Sequence, residues 1–200
     1  KKSSILILII ICLVGCKKGS NETTITGEIK GLGTDTLYLY GMDELYDRID
    51  TIYVENDKFS YTTSVDTITS AYLLLNNRNE YPVFLDKGNK IKIKGDTINL
   101  NFLTISGNIY NEEFTDFQKA LEDPADPSEK AGEETVDKRI TVEKANTAEE
   151  MAEEFILQHH SSYVSLYLLD KYFVQKETPD FSKIKKLVEV MTGVLQDKPY

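Results

Sequence analysis

A thiol is the most reactive side chain a protein can carry at neutral pH, and this 200-residue chain has two, Cys12 and Cys16. Three residues lie between them, so they do not form the Cys-x-x-Cys loop of a thiol-disulfide exchange site. They follow Lys1-Lys2-Ser3-Ser4 and an apolar run over residues 5–11. Two lysines, a short apolar run and a small residue before a cysteine make the three-part pattern of an export signal. The run over residues 5–14 falls well short of the ~20 apolar residues a bilayer-crossing helix needs, so it reads as an address label and not a permanent span.

The remaining reactive side chains are weaker candidates. His159 and His160 are the only histidines, and neighbours on a helix point about 100° apart, which does not suit a shared metal as an i, i+4 pair does. A helix C-terminus, where positive charge is tolerated, is the expected setting. The acidic pairs Glu112-Glu113, Glu133-Glu134, Glu149-Glu150 and Glu153-Glu154 lie in charged helical stretches and read as solvated surface. Gly31-Leu32-Gly33 is a turn, without the third glycine and following helix of a dinucleotide site. Asp50 interrupts the apolar run Ile49-Asp50-Thr51, and a backbone-accepting role at a strand end is expected of it. Tyrosines 38, 40, 46, 53, 61, 72 and 81 are good strand residues with amphipathic tips, with an aromatic ligand face as the alternative. The sequence therefore assigns no catalytic residue, no cofactor site and no metal ligand.

The elements that would carry these residues change in kind along the chain. After a polar tether over residues 16–22, short alternating runs separated by turn residues occupy residues 23–106. Residues 24–29 and 36–40 read as a first hairpin. Residues 48–54 and 59–62 follow on either side of a turn at 55–58. Further strands are expected at 70–75, 81–85, 90–95 and 102–105. In Lys90-Ile91-Lys92-Ile93-Lys94 isoleucine faces in and lysine out, so one sheet face is buried and the other wet. The expectation is an antiparallel β-sandwich or partial barrel.

From residue 107 to 200 the period becomes helical. Tyr110, Phe114, Phe117 and Leu121 form one stripe, ended by Asp123-Pro124. Residues 128–146 are a Glu- and Lys-rich stretch that fits a long solvated helix or a connector. Thr147-Ala148-Glu149-Glu150 is a capping box opening the next helix. Helices are then expected at 163–174 and after Pro179, the last with Phe181, Ile184, Leu187, Val188, Met191 and Leu195 as its apolar positions. Strands first and helices afterwards make an α+β chain. Its net charge is -10, which opposes binding of nucleic acid or anionic headgroups by charge.

Leu13-Val14-Gly15-Cys16 resembles the lipobox of bacterial lipoproteins. The resemblance implies a signal over residues 1–15 that is cut before Cys16, a diacylglycerol on the Cys16 thiol, and a membrane-held body facing the periplasm of the cell envelope. It also implies that no free thiol remains. Further on, Thr26-Gly27-Glu28-Ile29, Ile49-Asp50-Thr51, Lys58-Phe59-Ser60-Tyr61, Phe84-Leu85-Asp86-Lys87-Gly88-Asn89 and Ile105-Ser106-Gly107-Asn108 stand in a telling order. Together they are similar to the N-terminal domain of unknown function in thioredoxin-like envelope lipoproteins. That resemblance implies a non-catalytic accessory region, with a thioredoxin-fold domain of the thiol-disulfide oxidoreductase or peroxiredoxin-like type expected beyond Tyr200. On this reading the sequence is a piece trimmed at both ends. The alternative is a stand-alone periplasmic binding or assembly lipoprotein without redox activity.

Overall fold

The computed structural model describes residues 21–42, 44–76, 78–100, 102–122, 147–191 and 195. The expected signal, Cys16, Asp123-Pro124 and the charged stretch at 128–146 lie outside them. Eight strands build two four-stranded sheets: β1 (Glu22–Lys30), β2 (Asp35–Gly41), β3 (Ile49–Val54), β4 (Lys58–Ser64), β5 (Thr69–Leu75), β6 (Asn79–Leu85), β7 (Lys90–Asp96) and β8 (Thr104–Ser106). One sheet runs β4-β1-β7-β8 and the other β3-β2-β5-β6. They face each other as an open sandwich, followed by a helical segment, which is the expected α+β arrangement.

Alternation decides which side chains enter the core. Ile25, Ile29, Phe59, Ile91 and Ile93 from the first sheet meet Leu37, Leu39, Ile52, Leu73 and Val83 from the second, all 6% exposed or less. Pairing is another matter. The expected first hairpin does not form, because β1 and β2 belong to different sheets. The turn at 31–34 carries the chain across the sandwich, so Ile29 and Leu37 enter one core from opposite sheets. An alternating pattern fixes which face a strand buries but not which strand lies next to it. β3 and β4 likewise part into separate sheets after a two-residue turn in which Asn56 and Asp57 both have positive φ. Asp57 ties the two crossings together, its carboxylate accepting from Gly33 N at 2.6 Å and its N–H donating to Gly33 O at 2.9 Å.

One pair departs from the antiparallel expectation. β1 and β7 run parallel, with Ile25 opposite Ile91 and Gly27 opposite Ile93. A parallel pair needs a long crossover, and here that crossover carries the whole of the second sheet. Gly27 is also opposite Phe59 of β4, and a Cβ there would lie 2.1 Å from the Phe59 ring. The last strand starts two residues later than expected, after the 3-10 turn Thr97–Asn99, although Leu103 is already fully buried.

Helix α1 (Ile109–Glu122) closes the open side of the sandwich, and it does so with polar side chains. Asn111 accepts from Phe84 N at 3.0 Å and donates to Phe84 O at 2.8 Å, so its amide takes the place of a neighbouring strand on the β6 edge. Four residues on, Thr115 Oγ1 accepts from Ile105 N and donates to Ile105 O, both at 2.9 Å, doing the same for β8. Positions i and i+4 share a helix face, so one turn of α1 saturates an edge of each sheet. Asn108 starts the helix, accepting from Asn111 N at 3.0 Å and donating to Phe84 O at 2.8 Å. Gly107 before it has φ 113°, and a Cβ there would come 2.2 Å from Lys90 O. On β6, Pro82 aims its hydrogen-free nitrogen to the same side as Phe84 N, which suits an edge position.

The other face of α1 carries the expected apolar stripe. It packs with α2 (Ala148–Gln158), α3 (Tyr163–Leu169) and α4 (Phe181–Val190) into a second core of Phe84, Phe114, Phe117, Ile156, Leu168, Phe173 and Leu187 among others. The Thr147 capping box is formed, with Glu150 N donating to Thr147 Oγ1 at 3.2 Å and Thr147 N to Glu150 Oε2 at 2.8 Å. Two helical expectations change. Residues 163–174 are not one α-helix, since Asp170–Val174 form a π-helical turn in which Gln175 N donates to Asp170 O at 3.0 Å. On α4, Leu187 is buried and Ile184 packs against the core, but Phe181 is 76% exposed at the first turn.

Candidate functional site

Asp50 belongs to a polar cluster at the end of β3 whose members come from three segments. Its carboxylate accepts from the hydroxyl of Tyr46 and pairs with Arg48 Nε at 3.2 Å. The Arg48 guanidinium lies 4.7 Å from the Tyr46 ring centre, donates to Thr63 Oγ1 and reaches Ser64 O at 3.1 Å. Thus Asp50 accepts from side chains, not from the backbone as expected, because β3 turns it inward beside Tyr46, which is only 4% exposed. Burial pushes the Asp50 carboxyl up, but hydrogen bonds from Tyr46 and Tyr61, with Arg48 beside it, hold it below the usual carboxylate range. A carboxylate so engaged joins β3 to β4 where the sheets splay.

Two checks follow for Asp50. Asp50→Ala leaves the buried Tyr46 hydroxyl with Thr63 Oγ1 alone, 3.1 Å away, and is expected to lower urea-unfolding stability by about 1–3 kcal/mol. Because the folded carboxyl is depressed, its contribution is present above the unfolded-state value and is lost as pH falls through the folded one. Unfolding curves of the wild type and the variant should therefore converge in acid.

The other singled-out residues also serve the chain's own structure. His159 is the C-cap of α2; its ring stacks on Phe155 at 4.1 Å, and Nδ1 lies 3.1 Å from Phe155 O. Glu149 and Glu153 pair with Lys176 and Lys183, both at 2.7 Å, and Glu113 accepts from Ser162. Among the described residues no group of three or more His, Cys, Asp or Glu comes together as metal ligands would, and no helix is long and apolar enough to cross a membrane. Glu133-Glu134 and Cys16 lie outside them. The tyrosines divide by strand parity. Tyr46, Tyr61 and Tyr81 turn into the sandwich, while Tyr38, Tyr40, Tyr53 and Tyr72 lie on the outer face of the second sheet. Helix α3 covers part of that face through Tyr72 and Tyr167, whose ring centres are 6.5 Å apart.

Sequence reasoning missed a cleft of about 300 Å³ that opens beyond Pro82, where β6, α1 and the π-helical turn meet; Arg78, Tyr81, Gln118, Tyr167 and Lys171 are in its wall. Tyr81 is 4% exposed, yet among the described residues neither its Oη nor Gln118 Oε1 has a hydrogen-bond partner. Lys171 is exposed as a whole residue, but its ammonium sits against Tyr167 and Tyr172 and donates to Tyr167 Oη at 3.1 Å. That crowding strips hydration from Nζ and pushes its pKa down. Burial first, and then Glu122, push the Tyr81 hydroxyl up to about 12, and burial raises Tyr167 further, so both keep their protons at neutral pH. A second lobe of about 180 Å³, lined by Phe102, Phe117, Leu121 and Tyr172, shares Phe114, Gln118 and Lys171 with the first. No sequence signal marks this place, because it joins residues 78–82, 118 and 167–172.

Residues 23–114 match the model of a family described as a domain of unknown function, DUF4369. The matched segment is similar to that family. The DUF4369 segment runs from β1 into the middle of α1, so it holds both sheets and the Asn108, Asn111 and Phe84 contacts, but not Gln118 or Lys171. Neither the curated proteins nor the solved structures include a match to this chain.

Proposed function

We propose that this is a lipid-anchored cell-envelope protein whose DUF4369 region and helices form a non-catalytic accessory region of a thiol-disulfide oxidoreductase. One observation carries the reading. A DUF4369 match begins at residue 23, seven residues after the Cys16 of a lipobox-like Leu13-Val14-Gly15-Cys16. Acyl chains on Cys16 would hold the body at the bilayer, each buried methylene contributing ~0.8 kcal/mol, so that several chains anchor durably where one does not. The sandwich and helices would then set the height and orientation of a thioredoxin-like domain following in the same polypeptide. The use of Asp50 and His159 in bonds within the chain supports a structural role for this region.

Cys16→Ser is the direct test. The wild type should incorporate labelled fatty acid and stay in the membrane fraction through a high-salt wash, and the variant should do neither. Retention of the variant in washed membranes overturns the anchor. A stand-alone periplasmic binding or assembly lipoprotein is the second reading, favoured by the polar cleft beside β6. Sequencing the coding region past Tyr200 separates the two, since a Cys-x-x-Cys pattern supports the first and an immediate stop codon the second.

A further inference from the structure

We propose that the open edge of β3 pairs antiparallel with β3 of a second copy of this chain, about a twofold axis at Thr51. The pairing would join the two β3-β2-β5-β6 sheets into one sheet. This inference rests on the sandwich alone and is independent of the lipid anchor.

Two open sheets have four edges, here β4, β8, β3 and β6. An edge strand presents unpaired N–H and C=O groups, a template for another chain unless something blunts it. Helix α1 occupies two of the four, through Asn111 on β6 and Thr115 on β8. β4 is blunted by composition, with Lys58, Ser60, Thr62 and Ser64 at its exposed positions. β3 has neither protection. Among the described residues its backbone pairs with β2 alone, in a register that no bulge interrupts from Ile49 to Val54, and it contains no lysine or proline. Its outward side chains are Ile49, Thr51 and Tyr53, with Ile49 72% and Tyr53 74% exposed. A lone exposed apolar side chain is ordinary, but these two flank an edge whose backbone groups are unmet. Asp50, bonded to Tyr46 and Arg48, lies on the inner side and leaves the outward positions open.

The strand is complementary to itself, which selects a second copy as the occupant. Opposite residues of an antiparallel pair share a face, so outward positions must oppose outward positions. The registers of greatest overlap then place the axis at Asp50, Thr51 or Ile52. An axis at Asp50 sets two carboxylates directly against each other. One at Ile52 sets Ile49 against Glu55 of the second copy. With the axis at Thr51, Ile49 meets Tyr53 of the second copy, Tyr53 meets its Ile49, threonine meets threonine, and Asp50 meets Ile52. Aromatic and β-branched residues are stabilising cross-strand pairs. Thr36, Tyr38 and Tyr40 of β2 stand beside Tyr53, Thr51 and Ile49, so the new pairs continue an aromatic surface on both sides. Each copy uses the same edge, and the assembly therefore closes at two. A single strand pair lies at or below the small end of specific interfaces, which bury ~1,200–2,000 Å², so the dimer should be concentration-dependent.

The test uses the full-length chain with Cys12→Ser and Cys16→Ser, which removes the native thiols and any acyl chain. Sedimentation velocity should show a monomer–dimer equilibrium, and amide NMR should place the concentration-dependent shifts at residues 49–54. Adding Ile49→Lys and Tyr53→Lys sets lysine opposite lysine twice and should weaken the dimer at least about tenfold. Tm should change little, because both side chains are exposed. Ile49→Lys with Tyr53→Glu sets opposite charges at the same two places and should recover most of that loss. Thr51→Cys keeps both apolar side chains and tests the axis independently. It should form a disulfide-linked dimer on mild oxidation, since opposite Cα atoms of an antiparallel pair are ~4.5–5.5 Å apart, within disulfide reach. Thr62→Cys on β4 should not. A monomer at every concentration, assembly beyond a dimer, an undiminished dimer in the double-lysine variant, no recovery in the Lys–Glu variant, or equal cross-linking through Thr62→Cys overturns the proposal.

Discussion

Phe84→Ala is expected to lower stability by about 3–5 kcal/mol, the usual range for emptying a fully buried aromatic site. A single domain has roughly 5–15 kcal/mol in all. The effect should be concentrated in the helices. Phe84 is 0% exposed, and it is the strand residue that enters the second core fully buried, with ring centres 6.3 Å from Tyr110 and 6.4 Å from Phe114. The sandwich core is a separate set of side chains that the substitution leaves in place. Helical circular dichroism should therefore be lost at lower urea than near-ultraviolet signals from the sandwich tyrosines, whereas the wild type loses both together. Phe84→Leu, which refills most of the volume, should restore much of the difference. Coincident transitions in Phe84→Ala would mean that the two cores unfold as one unit.

Asn111→Ala is expected to cost about 2–4 kcal/mol, although it deletes only an amide. Asn111 is 1% exposed, and without it the buried Phe84 N–H has no acceptor and Phe84 O keeps only Asn108. Each buried backbone group left unsatisfied costs about 1–3 kcal/mol. Asn111→Asp should be worse than Ala at neutral pH, because a carboxylate would set one oxygen against Phe84 O and Asn108 Oδ1 in place of a donor. Burial and these two oxygens raise the pKa of such a carboxyl, so the protonated form prevails below the folded value and its O–H can donate again. The Asp variant should regain stability relative to Ala as pH falls, read as converging and then crossing urea midpoints. An Asp variant that matches Ala at every pH would remove the amide strap from the account of how α1 holds β6.

Strand and helix positions were legible because they are local. Alternation in residues 90–94, the Thr147 capping box and the stripe over Tyr110, Phe114 and Phe117 each depend on neighbours within a few residues. Partners were not. The run over residues 24–29 is compatible with a hairpin to 36–40 or with a parallel mate sixty residues away, and the fold takes the second because it gives β1 a neighbour on each side. The same limit hid the role of Asn111 and Thr115. Two polar residues at i, i+4 on an amphipathic helix look like its wet face, until two sheet edges with unmet backbone groups are placed against them.

By itself, then, the sequence determined a β region before a helical one, and which residue of each strand is apolar and alternate. It also determined that a chain whose two thiols both lie in its first sixteen residues has no Cys-x-x-Cys pair. Tertiary structure decided the rest: the division of β1 to β4 between facing sheets, the parallel β1–β7 pair, and the use of Asp50 as a joint between strands. It alone assembled the cleft of Tyr81, Gln118 and Lys171. The physical reason is that periodicity records the direction a side chain faces, whereas hydrogen-bond satisfaction, desolvation and counter-ions depend on what distant segments bring to the same place.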